Sequence, residues 1–120
     1  VGSAISPKRR LQKLIDAWQG IAKIEVIYGE SLELPDSSFA LINEIVEELI
    51  SNAIRHGGAG ELSISIVEDG DQVLLTFIDD GKEIKGGKKG MGSQVIRSKS
   101  LSYDYERTGT RNRITIALPK

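Results

Sequence analysis

The chain has 120 residues, enough for one domain built around a single hydrophobic core. Its 16 basic and 17 acidic residues nearly cancel, so the net charge of -1 gives no general attraction to nucleic acid or to an anionic membrane, and any phosphate binding must be local. Cysteine is absent, which excludes disulfides and thiol chemistry, and no apolar run approaches the roughly 20 residues that span a bilayer. We therefore expect a single domain over 1–120 that neither binds nucleic acid nor inserts into a membrane. Because the chain opens at Val1 without Met, we expect it to be part of a longer protein, with 1–6 as a disordered linker end.

The first half of the chain predicts a helix, a strand and a longer helix. Apolar residues at i, i+3, i+4 and i+7 predict the first helix between Ser6-Pro7 and Gly20, and they are Leu11, Leu14, Ile15 and Trp18. A strand is predicted from Ile24 to Tyr28. The cluster Asp36-Ser37-Ser38 is expected to supply the N-cap of a long helix that ends at His56-Gly57-Gly58.

The second half predicts strands around a stretch rich in glycine and lysine. The strands are predicted at 62–66, 73–78, 101–106 and 113–118. Turn residues at 68–71 and 108–110 make two antiparallel hairpins the expected pairing. The glycine-rich stretch covers 81–92, and a short helix is predicted at 93–97. Together these elements predict an α+β fold, a two-layer α/β sandwich with a mixed, mostly antiparallel sheet covered by helices on one face.

A polar stripe on the long helix is the first candidate for chemistry. At about 100° per residue, one stripe of the helix carries Glu44, Glu48, Asn52, Arg55 and His56, with Asn52 and His56 at the border of the apolar arc. The amide oxygen of Asn52 suits Mg²⁺ that is shared with phosphate oxygens, and Glu48 one turn earlier could orient or deprotonate a metal-bound water. Arg55 and His56 could contact phosphate. A solvated helix face whose basic end interacts with the helix dipole would give the same pattern.

Two glycine motifs follow the predicted hairpin. At Asp79-Asp80-Gly81 a strand runs into two acids, so Asp79 could accept a hydrogen bond from an exocyclic amine such as that of adenine, while Gly81 permits close approach. Gly90-Met91-Gly92 precedes the short helix and could cradle phosphates. Asp-Asp-Gly is also a common turn. A Walker loop and a dinucleotide fingerprint are both excluded, because 81–92 has no matching spacing and Val95 stands where a third glycine belongs.

The order and spacing of these motifs resemble the nucleotide-binding boxes of the GHKL ATPase superfamily, which includes gyrase and the histidine kinases. Residues 44–56 look like the N box, with Glu48 and Asn52 at its Glu-x-x-x-Asn spacing and an Asn-Ala-x-Arg-His ending typical of sensor histidine kinases. Residues 79–81 resemble the first glycine box and 90–92 the second. Gly109-Thr110 and the terminal Leu118-Pro119 are similar to the residues that close such kinase domains.

The resemblance implies the ATP-binding catalytic domain of a sensor histidine kinase, with the Bergerat fold and a short lid. Such a domain is cytoplasmic and transfers the γ-phosphoryl group of Mg-ATP to a histidine on a separate dimerisation domain of the same kinase, from which a response regulator takes it. By position, Asn52 would ligate Mg²⁺, Glu48 would orient water or assist proton removal, and Asp79 would read adenine. The other nucleotide contacts that the resemblance implies are Arg55, His56, Gly81, Lys88, Lys89, Gly90, Met91, Gly92 and Thr110.

Two departures and two alternatives stand beside this interpretation. Glu83 occupies the second glycine position of the family's Asp-x-Gly-x-Gly pattern and is expected to weaken nucleotide affinity. The gap from Gly81 to Gly90 is too short for the long lid of many kinases, and Ser93 also replaces the usual Leu. The lysines of 85–89 could equally form a solvated loop. One alternative is a regulatory nucleotide-binding module of the anti-sigma-factor serine kinase type, and the other is a degenerate scaffold without nucleotide.

Overall fold

The computed structural model describes residues 7–28, 34–83, 98 and 100–120. Its elements are α1 (Pro7–Trp18), β1 (Lys23–Tyr28), α2 (Asp36–Ser51), a π-helical segment (Asn52–His56), β2 (Glu61–Asp69), β3 (Gln72–Asp79), β4 (Ser102–Thr108) and β5 (Arg111–Pro119). The two longer predicted helices and the five predicted strands are thus confirmed in kind and order. The proposed linker end at 1–6 and the helix predicted at 93–97 lie outside the described residues.

The five strands among the described residues form one sheet in the order β1-β2-β3-β5-β4. The β1/β2 pair is parallel and the other three pairs are antiparallel. Because parallel neighbours need a crossover connection, the chain between β1 and β2 carries α2. The prediction of a mixed, mostly antiparallel sheet is confirmed.

The core lies between one face of this sheet and the two helices. The helices contribute a buried apolar set that includes Leu11, Ile15, Ile42, Ile45, Val46, Leu49 and Ile50. The sheet contributes alternate residues of its central strands, which are Leu62, Ile64, Ile66, Val73, Leu75, Phe77, Ile114, Ile116 and Leu118. Since the side chains of a strand alternate between faces, Asp79 continues the inward row of β3 that runs through Leu75 and Phe77. The two-layer sandwich is therefore confirmed. At one edge of its core, the inward-facing row of β3 ends in the carboxylate of Asp79.

The start of α2 differs from the prediction. Its N-cap is Pro35, at φ -56 and ψ 151, and no side chain makes a cap hydrogen bond. The backbone N–H groups of Ser38 and Phe39 instead donate to the Pro35 carbonyl at 3.0 and 3.2 Å. The expected N-cap within Asp36-Ser37-Ser38 is therefore wrong, because the fixed φ of proline already provides the extended cap conformation and these three residues begin the helix. Asp36 still interacts favourably with the helix dipole from the first turn.

The end of α2 widens into the π-helical segment Asn52–His56. The Gly57 N–H donates to the Asn52 carbonyl at 3.2 Å, five residues earlier, and the Ala59 N–H donates to the Ala53 carbonyl at 2.9 Å. Single π turns are rare within protein helices, but those that occur are often found at functional sites. This wider turn changes the directions of Arg55 and His56 from those that a regular helical wheel gives.

Candidate functional site

The carboxylate of Asp79 lies at the edge of the core, with only 3% of the residue exposed. It ends β3, where its neighbours across the sheet are Leu62 on β2 and Asn112 on β5. Its Oδ1 accepts hydrogen bonds from the Gly81 backbone N–H at 2.8 Å and from Asn112 Nδ2 at 3.0 Å. Neither bond uses Oδ2, which is therefore the atom that a ligand amine can use.

The environment of Asp79 sets the strength of this acceptor. Burial raises the pKa of the Asp79 carboxyl, and the negative charge of Asp80 adds to that effect. The hydrogen bonds from Asn112 and Gly81 and the positive charge of Arg107 oppose it. A buried carboxylate that is balanced by fixed donors in this way is a candidate for a functional role.

Asp80 has a different role from its neighbour. Its side chain is exposed, and its Oδ1 accepts backbone N–H groups of Gly60 at 2.8 Å and Glu61 at 3.0 Å. Hydrogen bonds from Glu61 and Gly60 lower the pKa of this carboxyl. Asp80 therefore ties the loop before β2 to the end of β3, so the acidic pair combines one core-facing carboxylate with one structural clamp.

The first glycine box packs directly against the end of the π-helical segment. The Lys82 backbone N–H donates to the Gly57 carbonyl at 2.9 Å. A Cβ on Gly81 would come within 2.9 Å of both the Gly57 oxygen and Asp79 Oδ1. Only glycine allows the two backbones this close, and their contact brings the segment that carries Asn52 beside Asp79.

The remaining residues of the N box lie on this helix end with different exposure. Glu48 and Asn52 are half-buried one turn apart, while Arg55 and His56 are exposed. The Arg55 guanidinium carbon stands 6.0 Å from the centroid of the Trp18 ring, at the outer limit of a cation–π contact. In this structure the arginine therefore leans towards the end of α1.

The sequence interpretation missed the polar partners of Asp79. Asn112 is only 1% exposed and holds Asp79 from β5, while Tyr105 and Arg107 on β4 donate to the Asn112 amide oxygen. One signal was present, since Asn112 extends the inward row of the strand predicted at 113–118. Thr110 was predicted to contact the nucleotide, but it is an exposed residue of the β4–β5 turn, and Asn112, two residues later, is the one that meets Asp79.

Residues 39–119 match the family described as histidine kinase-, DNA gyrase B- and HSP90-like ATPases. This chain belongs to that ATPase family. The matched span runs from the first turns of α2 to the end of β5, so the candidate site lies within it.

The proteins to which this ATPase domain is similar include histidine kinases, whose catalytic domains share its fold. The sensor histidine kinase LnrJ of Bacillus subtilis is 27% identical over 84 residues, which cover 70% of this chain and 21% of LnrJ. The structure of the histidine kinase AdeS of Acinetobacter baumannii is 23% identical with a TM-score of 0.70, covering 93% of this chain and 64% of that one. The catalytic domain of the histidine kinase ThkA is 15% identical with a TM-score of 0.68, covering 97% of this chain and 93% of that one. The chain thus spans about a fifth of LnrJ and has the fold of histidine kinase catalytic domains.

Several predicted site residues of this ATPase domain fall outside the part of the chain that the structure describes. They are Lys88, Lys89, Gly90, Met91 and Gly92, together with Ser93. Glu83 is described and its side chain is exposed. Within 7–28, 34–83 and 100–120, neither helix combines the length and the apolar character needed to cross a membrane.

A substitution at Gly81 tests the packing between the first glycine box and the end of the π-helical segment. Gly81→Ala is expected to lower the free energy of unfolding by about 1 to 3 kcal/mol, because the added methyl group must displace the Gly57 carbonyl or the Asp79 carboxylate. Gly60→Ala is the matched control, since a Cβ there meets nothing within 4 Å and its φ is not positive. Urea denaturation of both variants measures the difference. Equal stability of the two variants would show that the backbones do not pack as closely as described.

Proposed function

We propose that this ATPase domain is the ATP-binding catalytic domain of a sensor histidine kinase. The observation that carries the proposal is the buried Asp79 carboxylate, which is held through Oδ1 and packed beside the helix end that bears Asn52. The family match and the histidine kinase fold support it. In the longer protein this domain would lie in the cytoplasm and transfer the γ-phosphoryl group to a histidine on the dimerisation domain of the same kinase, and a response regulator would receive the phosphoryl group from that histidine.

Adenine recognition follows from the hydrogen-bond donors around Asp79. With Oδ1 already accepting two N–H groups, Oδ2 can accept the exocyclic amine of adenine. Guanine carries a carbonyl oxygen at that position, which would face the carboxylate as a second acceptor. The missing side chain at Gly81 lets its backbone pack against Gly57, which holds this backbone beside Asp79. The site therefore favours adenine over guanine.

The π-helical segment and the preceding turn would supply the phosphate end of the site. Asn52 offers an amide oxygen to Mg²⁺, Glu48 one turn earlier can hold or orient a water, and Arg55 and His56 are exposed cations or donors for phosphate oxygens. Among the described residues, no three His, Asp or Glu side chains are grouped to hold a metal. In this proposal Asn52 would hold Mg²⁺ together with the nucleotide, and the ion would neutralise phosphate charge when bound.

The fluorescence emission of Trp18 can be used to measure nucleotide binding. It is the only tryptophan of the chain, and Arg55 stands over its ring. A non-hydrolysable ATP analogue with Mg²⁺ is expected to change the Trp18 emission when Arg55 turns towards phosphate, and calorimetry should return the same Kd. The matching GTP analogue should bind at least about tenfold more weakly, the value of one hydrogen bond to a charged group.

The two measurements test different parts of the proposal. An absence of binding heat at about 1 mM nucleotide, the upper end of ordinary substrate affinities, would contradict the proposed function. Binding heat without a change in Trp18 emission would support the nucleotide site but show that Arg55 does not contact the phosphates. Arg55→Met is the control variant, because it should abolish the change in emission while calorimetry still detects binding.

A further inference from the structure

Arg107 on the edge strand β4 reaches the first glycine box across β5. It belongs to the inward row of β4, opposite Asn112 in the register. Its Nη1 donates to the Gly81 carbonyl at 2.7 Å and to Asn112 Oδ1 at 3.1 Å. The half-buried guanidinium therefore contacts both the backbone that follows Asp79 and the side chain that holds Asp79.

The Asn112 amide is the centre of this network. Its Nδ2 donates to Asp79 Oδ1 at 3.0 Å and to the Lys82 carbonyl at 2.7 Å. Its Oδ1 accepts from the Tyr105 hydroxyl at 2.6 Å and from Arg107. Because an arginine can only donate, these partners allow one orientation of the amide, the one that presents its N–H groups to Asp79.

The same network anchors the backbone of Gly81 and Lys82. The Gly81 N–H donates to Asp79 and its carbonyl accepts from Arg107. The Lys82 N–H donates to the Gly57 carbonyl and the Lys82 carbonyl accepts from Asn112. All four polar backbone groups that follow the acidic pair are thus bonded within the protein. Arg107 provides the shorter of the two contacts to the Gly81 carbonyl, since the Asn112 Nδ2 lies 3.4 Å away.

On the basis of the proposed function, we propose that Arg107 is a positioning residue for adenine recognition. By holding the Gly81 carbonyl and the Asn112 amide, it keeps Asp79 Oδ1 engaged with the protein and leaves Oδ2 for the ligand amine. Arg107 touches neither the base nor the phosphates in this role. Its effect passes through Asn112 and Gly81.

The charge of Arg107 adds a second, measurable effect on Asp79. Burial and the adjacent Asp80 raise the pKa of the Asp79 carboxyl, whereas Arg107 lowers it, and the other partners, Asn112 and the Gly81 N–H, are neutral donors. Removal of the guanidinium therefore raises this pKa further. Since Oδ1 is held by two N–H donors, a proton on this carboxyl goes to Oδ2, where it weakens the acceptor that faces the adenine amine, so the variant should lose affinity at a higher pH than the native chain as the pH falls.

Calorimetry with ADP over a series of pH values tests the inference. Arg107→Met keeps the length of the side chain without donors or charge, and it is expected to weaken ADP binding roughly three- to tenfold at neutral pH, with a larger loss at lower pH. Arg107→Lys retains the charge but has a single donor nitrogen in place of the forked guanidinium, so it should restore the native pH profile and part of the affinity. Arg113→Met is the matched control, because Arg113 is exposed on the opposite face of the same hairpin.

Each outcome decides between the possible roles of Arg107. Native affinity in Arg107→Met would overturn the proposal, and so would an equal loss at every pH, which a merely structural role produces. If circular dichroism shows that Arg107→Met does not fold, the pH profiles of Arg107→Lys and Arg107→Gln decide instead, since only the lysine variant should match the native profile. A native chain that binds no ADP would overturn the proposed function itself.

Discussion

Asp79→Asn is expected to weaken adenine nucleotide binding by roughly ten- to a hundredfold while the chain remains folded. The asparagine oxygen can still accept the Gly81 N–H and the Asn112 amide, which are the two bonds that the carboxylate makes through Oδ1. The atom that replaces Oδ2 is then an NH₂ group, which faces the adenine amine as a second donor. Calorimetry with ADP measures the loss, and unchanged affinity would remove Asp79 from the site.

The stability of the same variant should move in the opposite direction. Because burial raises the pKa of Asp79 in the folded state, the stability present with the protonated carboxyl is lost as the pH rises through that pKa. At neutral pH the native fold therefore bears the cost of a buried carboxylate, and Asp79→Asn removes it. We expect its melting temperature to equal or exceed that of the native chain near pH 7, with no advantage in acid.

Asp80→Asn is the matched control with the opposite sign. The backbone hydrogen bonds of Glu61 and Gly60 lower the pKa of Asp80, so its contribution is present above the unfolded pKa and is lost as the pH falls through the folded one. This variant should lower the melting temperature at neutral pH and leave ADP affinity close to native. If the two substitutions changed affinity and stability alike, the division between a ligand-facing and a structural carboxylate would be wrong.

Incubation of this chain alone with labelled ATP is expected to give no phosphohistidine, although the chain contains His56. An attacking imidazole must stand about 3 Å from the γ-phosphorus, in line with the leaving oxygen. His56, the only histidine, lies in the π-helical segment with Asn52, at the side of the proposed phosphate site. Addition of the histidine-bearing dimerisation segment of the same kinase should produce acid-labile label on that segment. Label on His56 would contradict the assignment, and label on a serine of a partner protein would favour the anti-sigma-factor type.

Transfer to that segment should depend on Asn52. Asn52→Ala is expected to lower the transfer rate by at least about a hundredfold, because a lost Mg²⁺ ligand removes several kcal/mol of charge stabilisation. Asn43→Ala is the matched control on the same helix, because Asn43 has no role in the proposed phosphate site. It lines a cavity of about 270 Å³ between α1 and α2, together with Arg10 and Leu14. Equal rates in the two variants would exclude Asn52 as the metal ligand.

Local patterns in the sequence were sufficient for the elements and for the parts of the site that lie within one element. Apolar periodicity gave both helices and alternation gave the strands, because burial on one face depends only on the spacing of neighbouring residues. The four-residue spacing of Glu48 and Asn52 likewise needs only one helix turn. Local patterns did not predict the N-cap at Pro35 or the π turn after Ser51. Both depend on backbone hydrogen bonds, and several side-chain patterns are compatible with those bonds.

The partners of Asp79 were decided by the tertiary structure alone. Asn112 lies 33 residues away along the chain and meets Asp79 only because β5, and not β4, pairs with β3 in this register. Arg107 reaches Gly81 because β4 forms the next strand at the edge. The different roles of Asp79 and Asp80 also come from the fold, since one side chain faces the core and the other meets the backbone of the loop before β2. Strand order and register are set by packing over the whole core, and no short stretch of sequence contains that information.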